Sequence, residues 1–219
     1  MVLTNVMLSM IVVIISFIAG GVAYYIFSEQ RRREKVKIME EIASVLINYV
    51  LFIWLAKVIL NFSLFIREPL TILAYPATAD AFYLAFVFSA GLFIYHSGKK
   101  NADQGDFIKA FSMVFLITSI VYELVQFVWN NDESSFGYLL LLSTILIIFL
   151  IFERRVKIRF LAMVLITLWS AGMLLLFNFY PVVTVFGYIM RPVFVILFFV
   201  ISNLIVFFTV GKEDEHDRY

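Results

Sequence analysis

The sequence predicts an all-α, polytopic membrane protein of seven transmembrane helices, with its N-terminus outside and its C-terminus inside, and three observations carry that prediction. Hydrophobic residues make up 63% of the 219 positions and charged residues 15%, against about 45–50% and about 25% in an ordinary globular domain. The apolar residues gather into runs near the length of about 20 residues that crosses a bilayer core. The basic residues fall on alternate connections between those runs, which is how cytoplasmic loops are told from external ones. Residues 1–219 are therefore expected to form a single transmembrane domain, multi-pass, in the cytoplasmic membrane.

The first apolar run, 7–27, has no Lys or Arg before it and the block RRREKVK after it. That is the reverse of a cleavable signal peptide, so the run is expected to stay as a span. Further spans are expected at 42–65, 79–96, 107–129, 137–152, 160–177 and 192–210. Arg31, Arg32, Arg33, Lys35 and Lys37 follow the first span; Lys99, Lys100 and Lys109 follow the third. Arg154, Arg155, Lys157 and Arg159 follow the fifth, and Lys212 and Arg218 stand in the tail GKEDEHDRY. The opposite connection NNDESSF is acidic. Of the 17 basic residues only Lys57, Arg67 and Arg191 depart from the pattern, each inside a span or at its outer end.

The four prolines lie in two places, Pro69 and Pro76 after the second span, Pro181 and Pro192 after the sixth, and KVKI at 35–38 echoes RVKI at 155–158. Each half then reads as span, basic loop, span, proline-bounded outer loop, span. Residues 1–97 and 137–212 are expected to be parallel repeats joined by a linker helix, 107–129, an arrangement used by several small transporters. In layout alone this resembles the three-plus-one-plus-three plan of the sugar-transporting SWEET proteins.

Polar residues inside the spans are the candidate functional groups. Ser119, Glu123, Gln126 and Asn130 are spaced by four, three and four, which keeps them on one face of the fourth span. Such a stripe is expelled from lipid and must face the bundle interior, a partner or a water-filled cavity. Trp54, Lys57 and Asn61 share a face of the second span in the same way. Lys57 lies roughly 5 Å beyond its span's midpoint and Glu123 roughly 7 to 8 Å beyond its own, on the same side. An isolated charge near mid-membrane costs about 2.5–3.5 kcal/mol on insertion scales, so the two are expected to pair. Asp80 opens the third span and Arg191 the seventh. Asn178 closes the sixth above Thr167, Ser170, Ala171 and Leu174. Ala77, Ala81, Ala85 and Ser89 form a small-residue face on the third span, suited to close helix packing.

With no cysteine and only His96 and His216, thiol chemistry and histidine or cysteine metal clusters are excluded. A net charge of +1 without a polybasic face excludes nucleic acid as a partner. Nothing calls for a cofactor, and no catalytic set is brought together. The leading reading is a small transporter or solute-binding permease component with an outward-facing polar site. Lys57, Asn61, Glu123 and Gln126 form that site, and Asp80 and Arg191 stand at its mouth. Its expected partners are the lipid bilayer, a small polar solute, and a membrane-protein partner or second copy of the chain. Two alternatives stand beside it: a non-catalytic sensor, regulator or assembly factor acting through a partner protein, and an intramembrane enzyme on lipid headgroups using Glu123 or Asp80 as a base.

Overall fold

The computed structural model describes residues 2–74, 77–97, 104–130 and 133–209. Tyr75, Pro76, Lys99, Lys100 and the tail with Lys212, His216 and Arg218 lie outside the described residues. The chain is nearly all helical: α1 (Val2–Phe27), α2 (Arg32–Leu60), the short α3 (Phe62–Arg67) and α4 (Pro69–Ala74), α5 (Ala79–Ser97), α6 (Gln104–Asn130), α7 (Glu133–Phe152), α8 (Ile158–Leu176) and α9 (Pro192–Thr209). Between α8 and α9 two short strands, β1 (Thr184–Val185) and β2 (Tyr188–Ile189), pair antiparallel. Four helices, α2, α6, α7 and α8, are long and apolar enough to cross a membrane, and shorter apolar helices lie within α1, α5 and α9.

The second helix starts ten residues before its apolar run because Arg32–Glu41 are mostly good helix formers. Glu34 also accepts a hydrogen bond from the Arg31 N–H at 3.2 Å, a helix-start contact. It stops earlier than expected, at Leu60. Asn61 leaves helical geometry at φ −121° and ψ 39°, and its side-chain amide donates to the Lys57 carbonyl at 3.0 Å. That carbonyl also accepts from the Asn61 backbone N–H at 3.1 Å, so both donors of Asn61 close the last turn on one oxygen.

The chain divides into two compact units, Met1–Met39 with Ala102–Tyr219, and Glu40–Asn101. In the first, α6 packs against α1, α7 and α8, and α8 packs against α7 and α9. Glycines allow the closest approaches. A Cβ at Gly20 of α1 would collide with the Thr118 hydroxyl and stand 2.7 Å from the Val114 carbonyl oxygen, and one at Gly172 of α8 would collide with Leu141 of α7. Arg154 bonds Glu29 at 2.9 Å, Gly105 meets Ile158, and Arg159 lies 4.4 Å from the Phe207 ring. These contacts gather Arg31–Lys37, Lys109 and Arg154–Arg159 at one end of this unit. Gly137 lies against Tyr180 at the opposite end.

From that opposite end the connection after α8 does not run across the surface. Phe186 and Gly187 turn the hairpin with φ 50° and 82°, the two positive values of a two-residue type I′ turn. A phenylalanine rarely adopts that conformation. Its ring explains why it does here, stacking on Phe17 at 5.6 Å and meeting Phe115 at 5.8 Å and Tyr122 at 5.2 Å. Phe17 is the midpoint of the apolar run 7–27, and Phe115 is within one turn of the midpoint of 107–129. The hairpin tip therefore reaches the middle of the bundle, and Val183, Val185 and Met190 are buried beside it. Pro69 opens the short helix α4, and Pro181 precedes this hairpin.

In the second unit α5 packs on α2 through Tyr49 against Phe82 at 5.4 Å and Phe52 against Phe88 at 5.9 Å. Tyr49 also donates to the Phe82 carbonyl at 3.1 Å. Ala81 and Ala85 of the small-residue face are fully buried. Beyond the break at Asn61, α3 packs against α4.

Candidate functional site

Helix α6 carries the polar stripe into the interior of the first unit. Thr118 and Ser119 are buried, Glu123 is only 1% exposed, and Gln126 is half-buried. A carboxylate so placed would be expensive in lipid, and an ionisable residue at this depth marks a functional site by default. The Gln126 amide donates to the Tyr122 hydroxyl at 2.7 Å, so the stripe is tied to the residue that holds the hairpin tip.

Two neighbouring helices complete the surroundings of Glu123. Tyr138 of α7 is buried, and its hydroxyl accepts a hydrogen bond from the indole N–H of Trp169 of α8 at 2.9 Å. Indole can only donate, so the phenol oxygen accepts there and its own proton points elsewhere. Glu123 is near enough to Tyr138 to act on it through space. The Ser119 and Ser170 hydroxyls are buried with no hydrogen-bond partner among the described residues. Buried hydroxyls of that kind are normally met by water or a bound polar group. Three helices thus contribute a buried carboxylate, a buried phenol with the half-buried Trp169 indole on it, and two buried serine hydroxyls, groups able to take up a proton or hold an amine or hydroxyl group.

The remaining predicted residues divide between the two units. Arg191 belongs to the first, exposed just before α9; Lys57, Asn61 and Asp80 belong to the second. Asp80, Glu123, Gln126 and Arg191 are each engaged by a neighbouring group. Lys57 is 8% exposed and its ammonium lies 5.7 Å from the Trp54 ring, so these two share a surface as their spacing predicts. Asn61 spends its amide on the helix end. The expected stripe on α8 is mostly turned on itself: Thr167 donates to Met163 at 2.7 Å and Asn178 to Leu174 at 3.1 Å, while Ser170 faces inward. Sequence reasoning missed Tyr138, Trp169 and the hairpin.

Among the described residues no group of three or more His, Asp or Glu side chains converges as a metal site would need. What the fold defines is a class, a helical protein with several helices apolar enough to lie in a membrane. Comparison of the chain with protein-family models, with curated proteins and with solved structures finds no match.

Proposed function

We propose that the protein is a seven-span permease of the cytoplasmic membrane for a small polar solute, with Glu123 at its binding site and the hairpin 184–189 as the element that covers it. The observation that carries this reading is the placing of a 1% exposed carboxylate on α6 one residue from Tyr122, the side chain on which the hairpin tip rests. Non-helical backbone at membrane depth persists only where protein buries it or where it lines a water-filled cavity. Gly187 at the tip is exposed. A polar lining on α6 beside it supports the second arrangement.

In this reading the basic end faces the cytoplasm, and the solute enters from the end where Tyr180 and Gly137 meet. Glu123 binds an amine or exchanges a proton, and Tyr138 and Ser119 offer hydroxyl partners. Movement of the hairpin off Tyr122 opens the site.

The test is thermal unfolding of the purified protein in detergent against single amino acids, small sugars and simple amines. A solute at 100 times its dissociation constant should stabilise by about 2.7 kcal/mol. At least one class should raise the melting temperature, and Glu123→Gln should abolish that rise while melting normally alone. No response to any class, together with co-purification of another membrane protein at fixed ratio, would replace this reading with that of a regulator or assembly factor.

A further inference from the structure

Lys57 belongs to a cleft of the second unit. The end of α2 and the short helices after it enclose a cleft of about 300 Å³, walled by Trp54, Leu55, Phe65, Pro69 and Ile72 with Lys57 among them. All of these belong to the second unit. The volume is at the low end of the range of small-molecule sites, about 300–1,000 Å³. The walls are apolar, and the only charged group on them is the Lys57 ammonium. Among the described residues of this unit no carboxylate is paired with it; Glu68 instead accepts from Thr71 at 2.8 Å.

An apolar cleft with one cation selects for a ligand that is itself divided, an anion joined to hydrocarbon. Depth says which. Lys57 is 15 residues along α2 from Ile42, where the apolar run starts, or about 22 Å at the helical rise. In a hydrocarbon core of about 30 Å that leaves about 8 Å to the far boundary. A lysine so placed extends its ammonium toward the headgroup level while its stem stays in apolar surroundings. Trp54 and Leu55, on the membrane side of Lys57, are 51% and 46% exposed, a surface against which a chain can lie. A free anion would surrender its hydration to apolar walls for a single contact, whereas a lipid phosphate already stands at the boundary toward which the ammonium extends.

We propose that this cleft is a binding site for one anionic phospholipid of the leaflet reached by the Leu60 end of α2, its phosphate on Lys57 and the upper part of an acyl chain along Trp54 and Leu55. The break of α2 at Asn61 and the return of the chain through α3 and α4 build the wall that distinguishes the cleft from an ordinary lipid-facing helix.

The test uses the whole protein, delipidated in detergent, with dioleoylphosphatidylglycerol or dioleoylphosphatidylcholine added and retained adducts counted by native mass spectrometry. One phosphatidylglycerol should be retained with a preference of about fivefold, the scale of one lysine meeting one anionic headgroup. Lys57→Gln should remove the preference. Val58 also lines the cleft, and Val58→Trp, which fills it and keeps the charge, should remove the preference too, so the outcome does not depend on one variant's folding. Lys57→Arg and the basic-end control Arg155→Gln should retain it. Equal retention of the two lipids, or a preference that survives both cleft variants, overturns the proposal. So does displacement by millimolar inorganic phosphate, which would make this a site for the free ion. Loss of stability in Lys57→Gln that Glu123→Gln restores also overturns it, because Lys57 would then be the partner of that carboxylate.

Discussion

Replacing the half-buried Phe186 by alanine should lower the stability of the purified protein by about 3 kcal/mol, the low end of the cost of a phenylalanine-to-alanine change. The low end applies because part of the usual cost is transfer from water, which hydrocarbon surroundings reduce. What is lost is contact: the ring stacks on Phe17 and meets Phe115 and Tyr122, all within 5.8 Å. The ring is also the compensation for a phenylalanine at φ 50°. Without it the hairpin has strain of about 1–3 kcal/mol and nothing to offset it. Phe186→Leu should fall between alanine and the parent. Thermal unfolding in detergent reads the order, and hydrogen exchange should show amides 183–190 exposed first in the alanine variant. Equal melting of all three proteins would mean that the tip is not packed against α1 and α6.

Gly20→Leu is expected to cost about 3 kcal/mol, at the upper end of ordinary overpacking. The first carbon of any side chain there meets the Thr118 hydroxyl and, at 2.7 Å, the carbonyl oxygen of Val114. A carbonyl in a helix cannot turn aside, so α1 and α6 must separate, and with them Phe17 and Phe115, which grip the hairpin. Gly91 of α5 is the control. Nothing lies within 4 Å of a Cβ built there, and Gly91→Ala should be neutral or gain up to about 1 kcal/mol from helix propensity. Similar melting of the Gly20 and Gly91 variants would contradict the close α1–α6 approach.

The long helices were legible because apolar run length and basic punctuation are properties of a segment by itself. Expected 79–96, 107–129 and 160–177 became Ala79–Ser97, Gln104–Asn130 and Ile158–Leu176. The polar face of α6 was legible for the same reason, since spacings of four and three state which residues share a side. Tyr138 and Trp169 were not, because one helix's periodicity says nothing about which residue of a neighbour will meet it. The hairpin was hidden by its size, each strand being two residues long. Its cue was present in Val182, Val183, Thr184 and Val185 before Phe186–Gly187, β-branched residues leading into a glycine turn between Pro181 and Pro192. Asn61 reads in sequence as a binding amide; in the structure it closes the helix whose end shapes the Lys57 cleft.

In the structure the connection between α8 and α9 turns back into the bundle and rests on Tyr122 of α6, one residue from Glu123. Photo-crosslinking reads this placement, with Phe17 replaced by benzoylphenylalanine, which keeps an aromatic ring where the hairpin tip stacks at 5.6 Å. After irradiation in native membranes and peptide mapping, the adduct should fall within residues 184–189. Adducts confined to lipid, or to helix residues with none on 184–189, would contradict it.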